Sequence, residues 1–435
     1  MSQTSHQPSA GGGPGATGEL PYAEDIVPTE NASRRVVVLM AVAQFGLFVA
    51  LLAPVTVSLA LKVQTLVPED QAAASLGMVL SVAAFVALVA NPVVGRLSDR
   101  TTSRWGRRRP WMVAGCAVFL VGMAVIALAD GIPILLAGWL LGQLGGNMIL
   151  APLLTTIADQ VPASQRGDVS ANVGVMQNLG IFAATYVASW FVGNMLLLFL
   201  VPAIFATLTV VAYCLVLPDR PVRVHPEPHG WKRLLRTFWV NPRQHPDFAW
   251  AWLSRFLVIL TSFFFITFRL FFLQDRVDLS TQEATEVLTL GVLIYTITLV
   301  IVAKIGGWLS DRFQRRKIFV ISAAVMFAVG TYLLVHVDTV SAFYGIEVLL
   351  GAGFGLYYAV DMALVVDVLP NPDDAAKDLG VMNIANALPQ SLAGSIGAFL
   401  LNINSDGGNY TLLYLVAGVV CLLGAAAILP IKKVR

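Results

Sequence analysis

Two stretches of this chain carry full charges among residues that are otherwise almost all apolar. The segment 248–273 holds Arg255, Ser262 and Arg269, and the segment 341–369 holds Glu347, Phe354 and Asp361. In each set the residues recur at steps of seven, nearly two helical turns, so each set lies along one helical stripe. Helices running in opposite directions would bring Arg255 to the depth of Asp361, and Arg269 to that of Glu347. The two ion pairs so formed would be about 21 Å apart along the axis. Charge in hydrocarbon surroundings is costly and points to a functional site. A carboxylate held there can take up and release a proton. Asp361, within YYAVDMALVVDVLP, is the better placed of the two acids. The expected role is proton coupling and gating: Arg255–Asp361 made when the cytoplasmic side is closed, Arg269–Glu347 when the outer side is closed. The plainer reading has both arginines reaching out to the membrane interface. It fits Arg269, close to Asp275 and Arg276, better than it fits the short acids.

A second group of residues suits recognition of a neutral polar solute. Asn383, Asn386 and Gln390 fall at i, i+3 and i+7, on one helical face, and Asn172 and Gln177 form a looser array. A carboxamide both donates and accepts, as a sugar hydroxyl does. Gln44, Asn147 and Tyr357 join them as candidate solute contacts. The competing reading is hydrogen bonding between helices. Phe45, Phe48, Trp139, Trp190 and Tyr358 can stack on a sugar ring, but an aromatic in such a segment is more often an interface anchor.

Elements of membrane-crossing length must position these residues. Apolar types make up 57% of the 435 residues and charged types 12%, against about 25% charged in soluble domains. A spanning helix needs about 20 apolar residues. Twelve stretches qualify, near 36–61, 73–97, 111–129, 132–158, 169–193, 195–217, 248–273, 286–309, 317–336, 341–369, 379–402 and 409–430. The expected organisation is a disordered tail (1–33), a six-helix bundle (34–217), a central loop rich in Pro and Arg (218–247), a second six-helix bundle (248–430) and a short tail (431–435). Of the 28 Lys and Arg residues, Lys62 and Arg276 fall in loops on one side and Arg255, Arg269 and Lys304 within spans; the others lie in tails and in loops on the other side. Positive charge marks the cytoplasmic side, so both termini are expected there.

The densest basic run, GRLSDRTTSRWGRRRP at Gly95–Pro110, has a degraded copy, GWLSDRFQRRK, at Gly307–Lys317. The repeat divides the chain into two similar halves, as in many secondary transporters. An acid within a basic run, Asp99, asks for a role beyond topology, such as facing the positive end of a helix. Arg107, Arg108 and Arg109 read as a solvated topogenic cluster. Asp159 and Asp367, each three residues before a proline, read as braces for the basic loops. No phosphate-binding G-x-x-x-x-G-K-[ST] run occurs. No cluster of His, Cys and acids suggests metal chemistry or covalent catalysis, and Cys116, Cys214 and Cys421 all lie in apolar segments.

Twelve spans as six and six, with G-x-L-S-D-R between the second and third, resemble the major facilitator superfamily. The extended form SDRTTSRWGRRRP, with DVLP at Asp367–Pro370 and AKDLGVMNIANALPQ at Ala376–Gln390, is similar to the sucrose/proton symporters within the glycoside-pentoside-hexuronide:cation symporter group. The resemblance implies an all-α membrane fold of two pseudo-symmetric bundles and transport by alternating access. It also implies a latch between the halves at Gly95, Asp99, Arg100 and Arg104, repeated by Asp311 and Arg312. Sodium-coupled members keep carboxylates in spans 2 and 4. Here span 2 offers Asn91, and span 4 Gln143 and Asn147, so proton coupling or no coupling is expected, with proton coupling the leading reading. Span 5 lacks the G-x-x-x-G-P-x-x-G-G run of drug exporters, which favours import of a sugar or glycoside over export of an amphipathic metabolite. The expected protein is a bacterial, multi-pass cell-membrane monomer that is not an enzyme. It binds a small solute, protons and the lipid bilayer, with no cofactor, metal or nucleic acid.

Overall fold

The computed structural model describes residues 30–221, 240–313, 315–370, 375–403 and 408–432. The expected N-terminal tail and most of the central loop lie outside them. Among the described residues every regular element is helical. The first, α1, runs through Arg34–Ala53, a π-turn at Pro54–Ser58 and Leu59–Gln64. Pro54 has no N–H to give the ladder, which accounts for the break. There follow α2 (Glu69–Asp99), α3 (Arg109–Leu128), α4 (Ile132–Gln160), α5 (Ala163–Ser189) and α6 (Met195–Val216). The second half holds α7 (Pro246–Asp275), α8 (Thr281–Phe313), α9 (Arg316–Leu334), α10 (Val340–Asp367), α11 (Ala375–Leu401) and α12 (Tyr410–Ala426).

Ten of these helices are long and apolar enough to cross a membrane. The other two expected spans are α5, which opens with the polar run ASQRGDVSAN, and α12, which has 17 residues. Helix ends reach past the apolar stretches, most clearly in α5, which starts six residues before the expected 169. Its first turns are polar and need no hydrocarbon around them.

Packing repeats with a period of six helices. In the first half α1 lies on α5 and α6, α2 on α4, and α3 on α4 and α6. In the second, α7 lies on α11 and α12, α8 on α10, and α9 on α10 and α12. The halves meet through two pseudo-equivalent crossings, α2 with α11 and α8 with α5, and the first is far more extensive than the second.

The α2–α11 crossing lies away from the basic loops, near the start of α2 and the end of α11. There the backbones touch: a Cβ on Gly77 would stand 2.2 Å from the Gly394 carbonyl oxygen, and one on Gly394 2.5 Å from that of Gly77. Such small-residue contacts let helices approach closely in lipid. The Ser395 N–H donates to Ser81 Oγ across the same seam (2.8 Å), and Gln64 Nε2 donates to Gln274 Oε1 (2.6 Å) between the ends of α1 and α7. The molecule is therefore closed on the face opposite the basic loops.

Candidate transport site

Between the halves lies a cavity of about 560 Å³, within the ~300–1,000 Å³ range of small-molecule sites. It is lined from α1 by Phe48, Leu51, Leu52 and Val55, the last inside the π-turn. Irregular turns of this kind often mark functional positions. The polar lining is Asn91 of α2, Gln143 and Asn147 of α4, Gln177 of α5 and Gln390 of α11, with Phe263 the contribution of α7. Gln143 and Asn147 are one helical turn apart, and Asn147 Nδ2 donates to the Gln143 carbonyl at 2.8 Å. That bond turns Asn147 Oδ1 towards α2, where it accepts from Asn91 Nδ2 at 3.0 Å. The side-chain amides of Gln143, Gln177 and Gln390 make no hydrogen bond among the described residues and remain available to a solute.

The ion pairs lie inside the second half. Arg255 reaches Asp361 with Nη2 to Oδ2 at 2.5 Å, and Arg269 reaches Glu347 with Nη1 to Oε1 at 3.3 Å. All four side chains are at most 9% exposed. The stripe on α7 faces α10 because its other side is bonded to α12: Ser254 Oγ donates to the Gly424 carbonyl and Thr261 Oγ1 to that of Ala417. Phe354, midway along the acidic stripe, packs against Tyr295, Phe327 and Tyr357, so an aromatic layer separates the two pairs. Phe265 covers the Arg269 guanidinium at 5.3 Å. Both pairs are made together in this conformation, and both partners of each belong to one half. The expected alternation is not seen, because movement of one half against the other does not separate α7 from α10.

On the basic face the Gly95–Pro110 run is organised around its last arginines. Arg108, 2% exposed, binds Asp159 through Nε (2.8 Å), Asp99 through Nη2 (2.6 Å) and Ser98 Oγ through Nη1 (2.9 Å). Arg107 takes the second Asp159 oxygen at 2.5 Å. The Asp219 carboxylate accepts the Arg108 and Arg109 backbone N–H groups at 2.7 and 2.9 Å, where the positive start of α3 favours an anion. Gly106, at φ +94°, lies so close to Asp219 that a Cβ would overlap its carboxylate. Burial opposes the Arg108 charge, but Asp159 and Asp99 outweigh it and hold the guanidinium pKa above its ordinary value. In the second half Arg316 binds Asp367 at 2.5 Å, and Lys317 Nζ donates to the Ile431 carbonyl as Arg109 does to that of Leu217.

The sequence reading is met unevenly. Asn147, Gln177 and Gln390 reach the cavity, and Phe48 with them. Gln44 does not: it is wholly buried, and neither of its amide atoms has a hydrogen-bond partner among the described residues. Tyr357 is buried beside the Arg255–Asp361 pair instead, and Asn172 is exposed. Asn386 is half-buried and outside the cavity lining. The side chains of Asn383 and Asp311 lie outside the described residues. Arg100, Arg104 and Arg312 are exposed. Arg100 and Arg104 make no ion pair among the described residues, while Arg312 lies over Trp308. The expected topogenic cluster, Arg107 to Arg109, is bound into the protein rather than solvated, because those residues reach the acids at the ends of α4 and α6. Gly95 has open space where a Cβ would stand. Asn91 and Gln143 were visible as amides within spans, but only the packing of α2 on α4 marks them as cavity groups. No group of His, Cys or acids disposed to hold a metal occurs among the described residues.

Two pseudo-repeated helical bundles around a cavity that presents five carboxamides define a secondary-transporter architecture. The sequence profile of the Major Facilitator Superfamily matches residues 36–306 and 284–435, and the chain belongs to that family. An uncharacterised MFS-type transporter of Mycobacterium tuberculosis (strain H37Rv) is 24% identical over 388 residues, covering 82% of this chain and 87% of its own. A sucrose transport protein of Oryza sativa subsp. japonica is 44% identical over 45 residues, 10% of this chain and 8% of its own. Among solved structures, the nucleoside transporter NupG superposes with a TM-score of 0.69 at 15% identity, covering 92% of this chain and 100% of that one. A bacterial homologue of the human lysosomal transporter Spinster, inward-facing and occupied, gives 0.70 at 12%, covering 92% and 97%.

Proposed function

We propose that this secondary transporter is a proton-coupled symporter that carries a sugar or glycoside into the cell by alternating access. It would be a bacterial cell-membrane monomer with both termini and the basic loops in the cytoplasm. The observation that carries the reading is the inequality of the two pseudo-equivalent crossings around one amide-lined cavity. With α2–α11 sealed and α5–α8 sparse, the cavity is shut on the outer face, as in an inward-facing state. Exchanging the two contacts would produce the outward-facing state. Carboxamides match sugar hydroxyls, and the short likeness to sucrose transport proteins points the same way. Asp361, buried against Arg255 within the second half, is the proposed proton carrier, and Asp99 with its arginines the proposed cytoplasmic latch. The test is accumulation of labelled sugars in proteoliposomes with and without an inward proton gradient. Accumulation that depends on the gradient supports symport.

One observation favours a different solute. Twelve of the seventeen residues lining the cavity are apolar, which suits an amphipathic metabolite moved outward by proton antiport. Loss of preloaded solute driven by the same gradient would establish that alternative.

A further inference from the structure

We infer that the transported solute is uncharged, and that Asn91, held by Asn147, is the residue that sets this selectivity. The inference rests on the transporter reading but not on its direction or coupling ion. Every polar side chain described in the cavity wall is a carboxamide; no described lining residue is titratable. The charged groups of α7 are engaged elsewhere: Arg255 and Arg269 each face an acid of α10 within the second half, outside the cavity lining. A solute bearing a fixed charge would bring it into the wall without a counter-charge, and a buried charge without a partner is strongly disfavoured. A hydroxyl loses nothing there, because each amide can both give and take a hydrogen bond.

The amides are not equivalent. Asn91 donates to Asn147 Oδ1, and Asn147 in turn is tied to the Gln143 backbone carbonyl. This chain fixes the Asn91 plane and presents its own carbonyl oxygen at a set position. Gln177 and Gln390, without such ties, can rotate to suit different hydroxyl patterns. Helices α2 and α4 therefore supply a rigid polar contact, and α5 and α11 supply adjustable ones. Phe263 and Phe48 offer apolar surface for the face of a ring.

The test is equilibrium binding to the full-length protein purified in detergent, with labelled methyl glucoside and sucrose as neutral probes and glucuronate and glucosamine as competitors. Glucuronate and glucosamine keep the hexose skeleton and add one negative or one positive charge. The expected result is binding of at least one neutral probe, with both charged sugars competing at least tenfold more weakly than unlabelled neutral hexose. Asn91→Leu should weaken neutral-probe binding tenfold or more. Asn91→Asp should shift the glucosamine-to-neutral ratio at least tenfold towards glucosamine. Gln143→Glu provides the same charge test at a position outside the Asn91–Asn147 bond, should the Asn91 variants fail to fold. Equal competition by a charged sugar, no binding of either neutral probe, or an unchanged ratio in folded Asn91→Asp and Gln143→Glu proteins would overturn the inference. Neutral binding with the expected variant effects but no gradient-driven uptake would instead refute the symport reading and leave this one standing.

Discussion

The two halves share one helix arrangement but fill it with different chemistry. In the first half the polar groups that line the cavity are amides. In the second half one amide, Gln390, reaches the cavity, and the charged groups are two buried ion pairs with Phe354 and its aromatic neighbours between them. An amide can exchange partners with a passing solute at little cost. A buried ion pair cannot lose one member cheaply, because the remaining charge has no water to turn to. One architecture thus separates a labile recognition surface from a set of charges that respond to all-or-none events such as protonation. The basic face repeats the lesson at smaller scale. Arg108 has three side-chain partners and is almost wholly buried, whereas its counterpart Arg316, bound to Asp367, is 21% exposed.

The largest expected effect breaks the charged side of the comparison. Arg255→Ala should destabilise the folded protein by about 3–5 kcal/mol, since it leaves Asp361 buried and unpaired. Replacing both partners, Arg255→Leu with Asp361→Leu, should restore most of that loss, as seen by thermal unfolding in detergent. Asp361→Asn should abolish gradient-driven accumulation while solute exchange continues. If Asp361→Asn still concentrates solute, the second half's charges have no part in coupling, and the contrast between the halves is one of stability alone.

Next comes Arg108→Ala, expected to cost about 3 kcal/mol because it removes a buried guanidinium shared by Asp159, Asp99 and Ser98 and leaves Asp159 with Arg107 alone. Arg316→Ala should cost about 1 kcal/mol or less, as for a partly exposed pair. Equal losses in the two unfolding midpoints would show that the braces are equivalent despite their different burial.

Gly77→Ala tests the seam that the halves share. Its Cβ would overlap the Gly394 carbonyl in the present state, an overpacking cost of roughly 1–3 kcal/mol that the outward-facing state would not bear. That should shift the conformational equilibrium about five- to a hundredfold towards opening on this face. Labelling of single cysteines from each side, in a variant lacking Cys116, Cys214 and Cys421, would show the shift, and unchanged labelling would place the seal elsewhere. The smallest stability effect is expected for Asp99→Asn, about 1 kcal/mol or less, because Asp99 is 54% exposed. A well-folded Asp99→Asn protein that transports normally would remove the latch role and leave Arg108 with a bracing function only.

Composition and the spacing of apolar stretches were enough to determine twelve helices, because hydrocarbon length and backbone hydrogen bonding leave few alternatives; the copy of the basic run at Gly307–Lys317 marked two halves, and the resemblance of its motif pointed to the transporter family. The seven-residue steps on α7 and α10 determined which charges share a stripe and a depth, and the pairs Arg255–Asp361 and Arg269–Glu347 follow from that. What periodicity cannot state is which neighbour a face meets. Gln44 and Gln177 are both amides within spans, yet one is entombed and the other lines the cavity. Asn91 became a recognition group only when α2 packed on α4 and brought it to Asn147. Arg104 and Arg108 are four residues apart in one basic run, and the turn at Gly106 leaves the first in solvent and carries the second into the protein. Which face of the molecule is closed was also decided by tertiary structure, since the backbones of Gly77 and Gly394, on different halves, touch only through packing distant in sequence.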